Sequence, residues 1–76
     1  MELSYFIEKF AEQFDETDIS SFRSDIVFKE LEEWSSLIAL AVIAMIDEEY
    51  EVEIKGEDIH NSNTIEELFA IVKERK

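Results

Sequence analysis

The chain has 76 residues, with 20 acidic side chains against 7 basic ones and a formal net charge of -13. That length suits one domain and not two, and so small a domain buries a thin core and is modestly stable. Its negative field repels nucleic acid and anionic membranes and favours encounter with basic protein surfaces. No cysteine is present, which excludes a disulfide framework and cysteine-based zinc sites. Strong acidity can signal disorder, but 46% of residues are hydrophobic and six are Phe, so a folded acidic domain is expected. The N-terminus shows no basic region followed by an apolar run, so no signal peptide is expected. The longest apolar stretch, Leu37 to Ile46, is too short for a bilayer span. A soluble, cytoplasmic monomer is the expectation.

Proline is absent and glycine occurs once, at Gly56, so little hairpin chemistry is available. Leu3, Phe6, Ile7, Phe10 and Phe14 share one helical face, which predicts a first helix from about residue 3 to about 15. Residues 16–35 read as a long polar loop pinned by Phe22, Ile26, Val27, Phe28 and Leu31. A loop of that length inside a small domain implies a role for it. Ser35 can cap a second helix by accepting from an unpaired backbone N–H, and that helix is expected from about 36 to about 50. It is apolar all round from Leu37 to Ile46 and then reaches Asp47, Glu48 and Glu49 together. Such a helix is normally buried on every side; in a chain this small, one stripe is left for a partner. Val52 and Ile54 form a short extended segment, and Glu57 to His60 a single helical turn. Thr64 and Glu67 read as a capping box for a last helix over about 65–74, with Lys73 and Arg75 at the end where the helix dipole favours cations. The fold class is all-α: three main helices, a short fourth, and a long loop between the first two.

The sequence holds no conventional catalytic constellation. A Ser36–His60–carboxylate triad can be drawn on paper, but so small a chain offers no pocket deep enough to exclude water. His60 therefore reads as a polar loop residue, and the chain as a non-enzyme. An EF-hand needs glycine at its sixth position. Counting from Asp47 the sixth residue is Val52; counting from Asp58 it is Asn63, and the twelfth is Phe69. No metal site is expected, and the acidic runs read as solvated surface. One segment does carry a signal, Trp34-Ser35-Ser36-Leu37. A serine at a helix start sits beside free N–H groups and the positive end of the dipole, a favourable place for phosphate. The plainer reading is that both serines serve the cap.

The run Glu33-Trp34-Ser35-Ser36-Leu37-Ile38-Ala39-Leu40 resembles the phosphopantetheine attachment motif of acyl carrier proteins, in which Asp-Ser-Leu opens the second helix. The order that follows is also similar. Ile46-Asp47-Glu48-Glu49-Tyr50 closes the helix, Val52-Glu53-Ile54 leads into a small third helix at Asp58-Ile59, and a capped helix runs from Thr64 to Lys73. The resemblance spans essentially the whole chain. It implies an acyl-carrier-like bundle in which a phosphopantetheinyl transferase moves phosphopantetheine from coenzyme A onto Ser36. The arm's thiol would hold acyl intermediates of fatty acid, polyketide or related biosynthesis as thioesters, and acyl-handling enzymes would receive them. Tethering turns a diffusional meeting into a local one.

One position departs from that pattern: Ser35 stands where the family has Asp. Serine keeps the capping function and lacks the negative charge that a modifying enzyme could read; Ser35 is also the alternative attachment residue. At about 100° per residue, Leu37, Ala41, Ala44 and Glu48 form one stripe of the second helix, with Met45 at its edge, while Ala39, Val42, Ile43, Ile46 and Tyr50 face the bundle. Together with Asp47, that stripe is the expected docking face for a basic partner with an apolar centre. An acyl carrier is preferred over a peptidyl one, because Glu32-Glu33-Trp34-Ser35 contains no glycine. The competing reading is a small acidic helical interaction module with no prosthetic group.

Overall fold

A computed structural model describes residues 2–76. Helix α1 spans Leu3–Ala11, α2 Ser36–Tyr50, α3 Gly56–His60 and α4 Ile65–Arg75. The long loop between α1 and α2 contains two short 3₁₀ turns, Ile19–Ser21 and Phe28–Glu30. No strand forms among the described residues; the one β-type contact is an isolated antiparallel bridge between Val27 and Thr64. The all-α architecture of three main helices and a short fourth is the one the periodicity predicts.

Helix α1 ends earlier than expected. The Gln13 and Phe14 N–H groups bond three residues back, to Phe10 and Ala11, a tightening common at helix ends. The Gln13 amide also donates to the Lys9 carbonyl, satisfying one of the helix's last acceptors. This bend carries Phe14 off the helix and into the core beside Phe10 and Phe22, with ring centroids 5.6 and 4.9 Å away.

A continuous chain of aromatic rings runs through the core, from Tyr50 and Phe69 through Phe6 and Phe10 to Phe14, Phe28 and Trp34. Phe6, Phe10, Phe28, Val42, Ile46, Ile65, Leu68 and Val72 are fully enclosed. Phe6 meets Phe69 of α4 at 5.0 Å and Tyr50 of α2 at 5.8 Å, so α1 is wedged between the two other long helices. Of the expected loop anchors, Phe22 and Phe28 are buried, and Ile26 and Leu31 pack on the core. Val27 is at the surface; its backbone holds the loop by pairing with Thr64, and the Glu66 N–H donates to Ser24 O at 3.0 Å.

Short polar links finish the bundle. Val52 and Ile54 point inward from an extended segment while Glu51, Glu53 and Lys55 stay outside, the alternation of extended backbone. Asp58 accepts from the Lys55 N–H and takes both guanidinium nitrogens of Arg75 at 2.6 Å. Lys29 donates to the His60 carbonyl at the end of α3, and Lys76 to the Tyr50 carbonyl at the end of α2. At the α4 start, Thr64 Oγ1 accepts from the Glu67 N–H, as the capping box requires. The Glu67 carboxylate, however, reaches back to the Asn63 N–H and not to Thr64.

Candidate functional site

Helix α2 starts where the sequence places it. Ser35 is extended, and its hydroxyl accepts from the Ile38 N–H at 3.2 Å. Ser36 follows as the first helical residue, exposed, and its hydroxyl makes no hydrogen bond to a described residue. The two serines are therefore unequal. Ser35 Oγ is committed to the cap, whereas Ser36 Oγ is free beside the positive end of a 15-residue helix.

The exposed stripe of α2 differs from the expected one. Leu37 is 77% exposed and Leu40 62%; Ala44, Asp47 and Glu48 are also exposed. Ala41 is half-buried. Met45, expected at the edge of the docking face, is only 7% exposed and belongs to the core. The stripe is thus rotated by roughly 40° about the helix axis towards Leu40 and Asp47. Of the inward set, Val42, Ile46 and Tyr50 are buried, while Ala39 and Ile43 are partly buried against the core. Sequence reasoning missed Leu40 because α2 is apolar all round, so periodicity gives its wheel almost no direction. Contact with α1 and α3 supplies it.

The rotation brings Ser36 onto the exposed surface at the head of the stripe. Its four neighbours along the face are Leu37, Leu40, Ala44 and Asp47, with Glu48 beside them. No Lys or Arg lies in α2, so the face is apolar in the middle and anionic at one end.

The charges of α2 run against its own dipole. Its first turn has no acid and its last turn no base, while Asp47, Glu48 and Glu49 crowd the negative end. Helix α4 follows the usual rule, with Glu66 and Glu67 first and Lys73 and Arg75 last. At the acidic end of α2 the Tyr5 hydroxyl donates to Glu49 at 2.6 Å, and Lys76 donates to the Tyr50 carbonyl.

The turn ahead of α2 is fastened by Glu33. Its carboxylate accepts from the N–H groups of Asp15, Glu16 and Thr17 at 2.6, 3.0 and 2.9 Å, and from the Thr17 hydroxyl at 2.7 Å. Those bonds, the Thr17 hydroxyl foremost, hold the Glu33 carboxyl below the usual carboxylate range.

His60 is exposed at the end of α3, where its carbonyl accepts from Lys29. Among the described residues no group of His, Asp and Glu side chains is placed to hold a metal ion, and no helix is long and apolar enough to cross a membrane. The fold and site together define a class: a small acidic helical bundle that displays one free serine hydroxyl at the head of its most exposed apolar stripe. Neither a family model, a curated protein nor a solved structure matches the chain.

Proposed function

We propose that this chain is an acyl carrier protein: it carries phosphopantetheine on Ser36 and presents acyl thioesters to partner enzymes in fatty acid, polyketide or related biosynthesis. The observation that carries the reading is the free, exposed Ser36 hydroxyl at the first position of a capped helix. It heads the stripe of Leu37, Leu40, Ala44, Asp47 and Glu48. In the transfer step Ser36 Oγ attacks the phosphorus of coenzyme A next to the pantetheine. The pyrophosphate bond breaks, adenosine bisphosphate leaves, and the hydroxyl proton passes to a base of the transferase. The carrier itself catalyses nothing in this scheme and acts in the cytoplasm.

The docking face offers an apolar centre and an anionic rim at its far end. Partners of matching chemistry have an apolar recess bordered by Lys or Arg, which speeds encounter and fixes orientation. The inverted charges of α2 support this use, since they lower the stability of the free helix and gain meaning only opposite a cationic surface.

The test is intact mass after incubation with coenzyme A and a broad-specificity phosphopantetheinyl transferase. The expected result is a gain of one phosphopantetheine in the unmodified chain and none in Ser36→Ala. A Ser36→Ala chain that still gains mass assigns the attachment to Ser35. An unchanged mass for the parent chain selects the alternative, an acidic helical interaction module that uses the same Leu37–Leu40 face without a prosthetic group.

A further inference from the structure

Glu33 lies in a place where a carboxylate is hard to keep. Two of the residues whose N–H groups it accepts from, Asp15 and Glu16, are themselves acidic, and Glu32 adjoins it in sequence. The four residues Glu16, Thr17, Glu32 and Glu33 border one cleft with Leu31 at its edge. No cation pairs with Glu33 among the described residues; the ion pairs lie elsewhere. What holds it is the backbone. Three successive N–H groups converge on one carboxylate, the geometry of an anion nest, and the Thr17 hydroxyl adds a fourth donor. Bonds to an ionised acceptor are about twice as strong as neutral ones.

The next residue repeats the fastening with apolar surface. Trp34 stacks on Phe14 with ring centroids 6.3 Å apart and meets Phe28 edge-on at 5.0 Å. Phe14 immediately precedes the nest residues, and Phe28 opens the second 3₁₀ turn. Two adjacent side chains thus grip both halves of the long loop, and the residues that follow them are Ser35 and Ser36.

We propose that Glu33 and Trp34 form a clasp which fixes the long loop against the approach to α2, making Glu33 a positioning residue for the docking of a modifying enzyme at Ser36. The clasp itself stands on the contacts above; its link to Ser36 rests on the carrier reading. The loop borders the head of the docking stripe through residues 33–35, so its position is part of the surface a transferase meets. Releasing it widens the range of loop positions and weakens docking, without altering the hydroxyl that reacts.

Glu33→Gln keeps the size and removes the charge; Thr17→Val removes one donor and leaves the three N–H groups. Amide hydrogen exchange at pH 7 reads the clasp directly. In Glu33→Gln the amides of residues 15–17 are expected to exchange at least about tenfold faster than in the parent, a change of about 1.4 kcal/mol in opening, while those of α4 are unchanged. Thr17→Val should give a smaller acceleration. Emission from Trp34, the only tryptophan, should shift to the red in Glu33→Gln as Phe14 loosens. In the transferase assay, KM for the Glu33→Gln chain should rise several-fold with kcat retained, a split that lowered stability alone does not produce in a chain still folded at the assay temperature. Unchanged exchange at 15–17 overturns the clasp. Faster exchange with an unchanged KM overturns the positioning role. A parent chain that gains no mass overturns the carrier reading and the positioning role with it, while the exchange rates still decide the clasp.

Discussion

Glu33 and Asp58 are the carboxylates that bond segments 17 residues apart in the chain, and both titrate below their ordinary range. For Glu33 the causes are the Thr17 hydroxyl and the N–H groups of the 15–17 turn; for Asp58 they are the Arg75 guanidinium and then the Lys55 N–H. A carboxyl depressed in the folded state binds its proton more readily in the unfolded chain. Its stabilisation is therefore complete above the unfolded pKa, about 4.3 for Glu and about 3.9 for Asp, and it is lost as pH falls through the folded value. In chemical denaturation against pH the contribution of these two carboxyls should be complete near neutrality and fade in acid, opposite in sign to the gain that protonation of the other carboxylates brings by relieving self-repulsion. The gap between parent and Glu33→Gln should close over the same acid range. A gap that stays constant down to pH 3 would separate the acid response from this carboxylate.

Glu51 is the residue held in the least favourable backbone conformation. It ends α2 in the left-handed region, at φ 57° and ψ 37°, with its N–H bonded to Asp47 O, and it is the only described non-glycine residue with positive φ. A left-handed residue is a common helix terminator, and glycine fits there without the Cβ contact. For other residues that contact costs roughly 1–2 kcal/mol, part of which glycine gives back through its looser unfolded chain. Glu51→Gly should therefore raise Tm by a few degrees in a thermal melt. A lowered Tm would mean that the exposed Glu51 side chain makes a contribution larger than the backbone term.

At the scale of elements, α2 stands apart from its neighbours. Its acids sit where a helix favours cations, and the Glu48 side chain has no hydrogen-bond or ion-pair partner among the described residues. Replacing it with lysine reverses an unfavourable interaction with the helix terminus. Glu48→Lys should raise Tm of the free protein by about 2–4 °C, as a fraction of a kcal/mol does in a domain of this size. If the chain is the carrier proposed above, the same change should slow transfer to enzymes with basic docking surfaces. The opposite signs are the useful outcome: a stabilised protein with unimpaired transfer to every partner removes Glu48 from the proposed docking face. The early end of α1 makes the complementary point. Its apolar spacing runs on to Phe14, and the helix still stops at Ala11: the Gln13 and Phe14 N–H groups turn to carbonyls three residues back, and the next three N–H groups bond Glu33, some 17 positions along the chain. A long-range acceptor of that kind has no local signature.

At the scale of the whole molecule, a charge of -13 is packed into a body with a Cα radius of gyration of 11.0 Å. The basic residues are mostly drawn into internal links: Arg75 to Asp58, Lys29 to the end of α3, Lys76 to the end of α2. Self-repulsion among the remaining carboxylates opposes the compact state, and salt screens it over about 10 Å at 0.1 M. Raising NaCl from about 0.01 to about 0.3 M should therefore increase Tm, against the ordinary expectation for a fold stabilised by surface ion pairs. A Tm that falls with salt would show that those pairs outweigh the repulsion.

The four helices could be read from the chain because each rests on local physics. Phe6 and Phe10 recur at helical spacing, Ser35 and Thr64 cap, and Lys73 and Arg75 close the last turn. Ser36 was legible for the same reason, since a cap defines the residue after it. The orientation of α2 was not legible: with apolar side chains on every side, nothing in the helix distinguishes Leu40 from Met45. Only packing against α1 and α3 sends Met45 inward and leaves Leu40 in solvent. The clasp from Glu33 to residues 15–17 was equally hidden, because its donors are backbone groups present at every position. The sequence by itself determined the elements and the serine that opens α2. Tertiary structure alone decided which face that serine shares and what holds the loop beside it, because both depend on contacts between residues far apart in the chain.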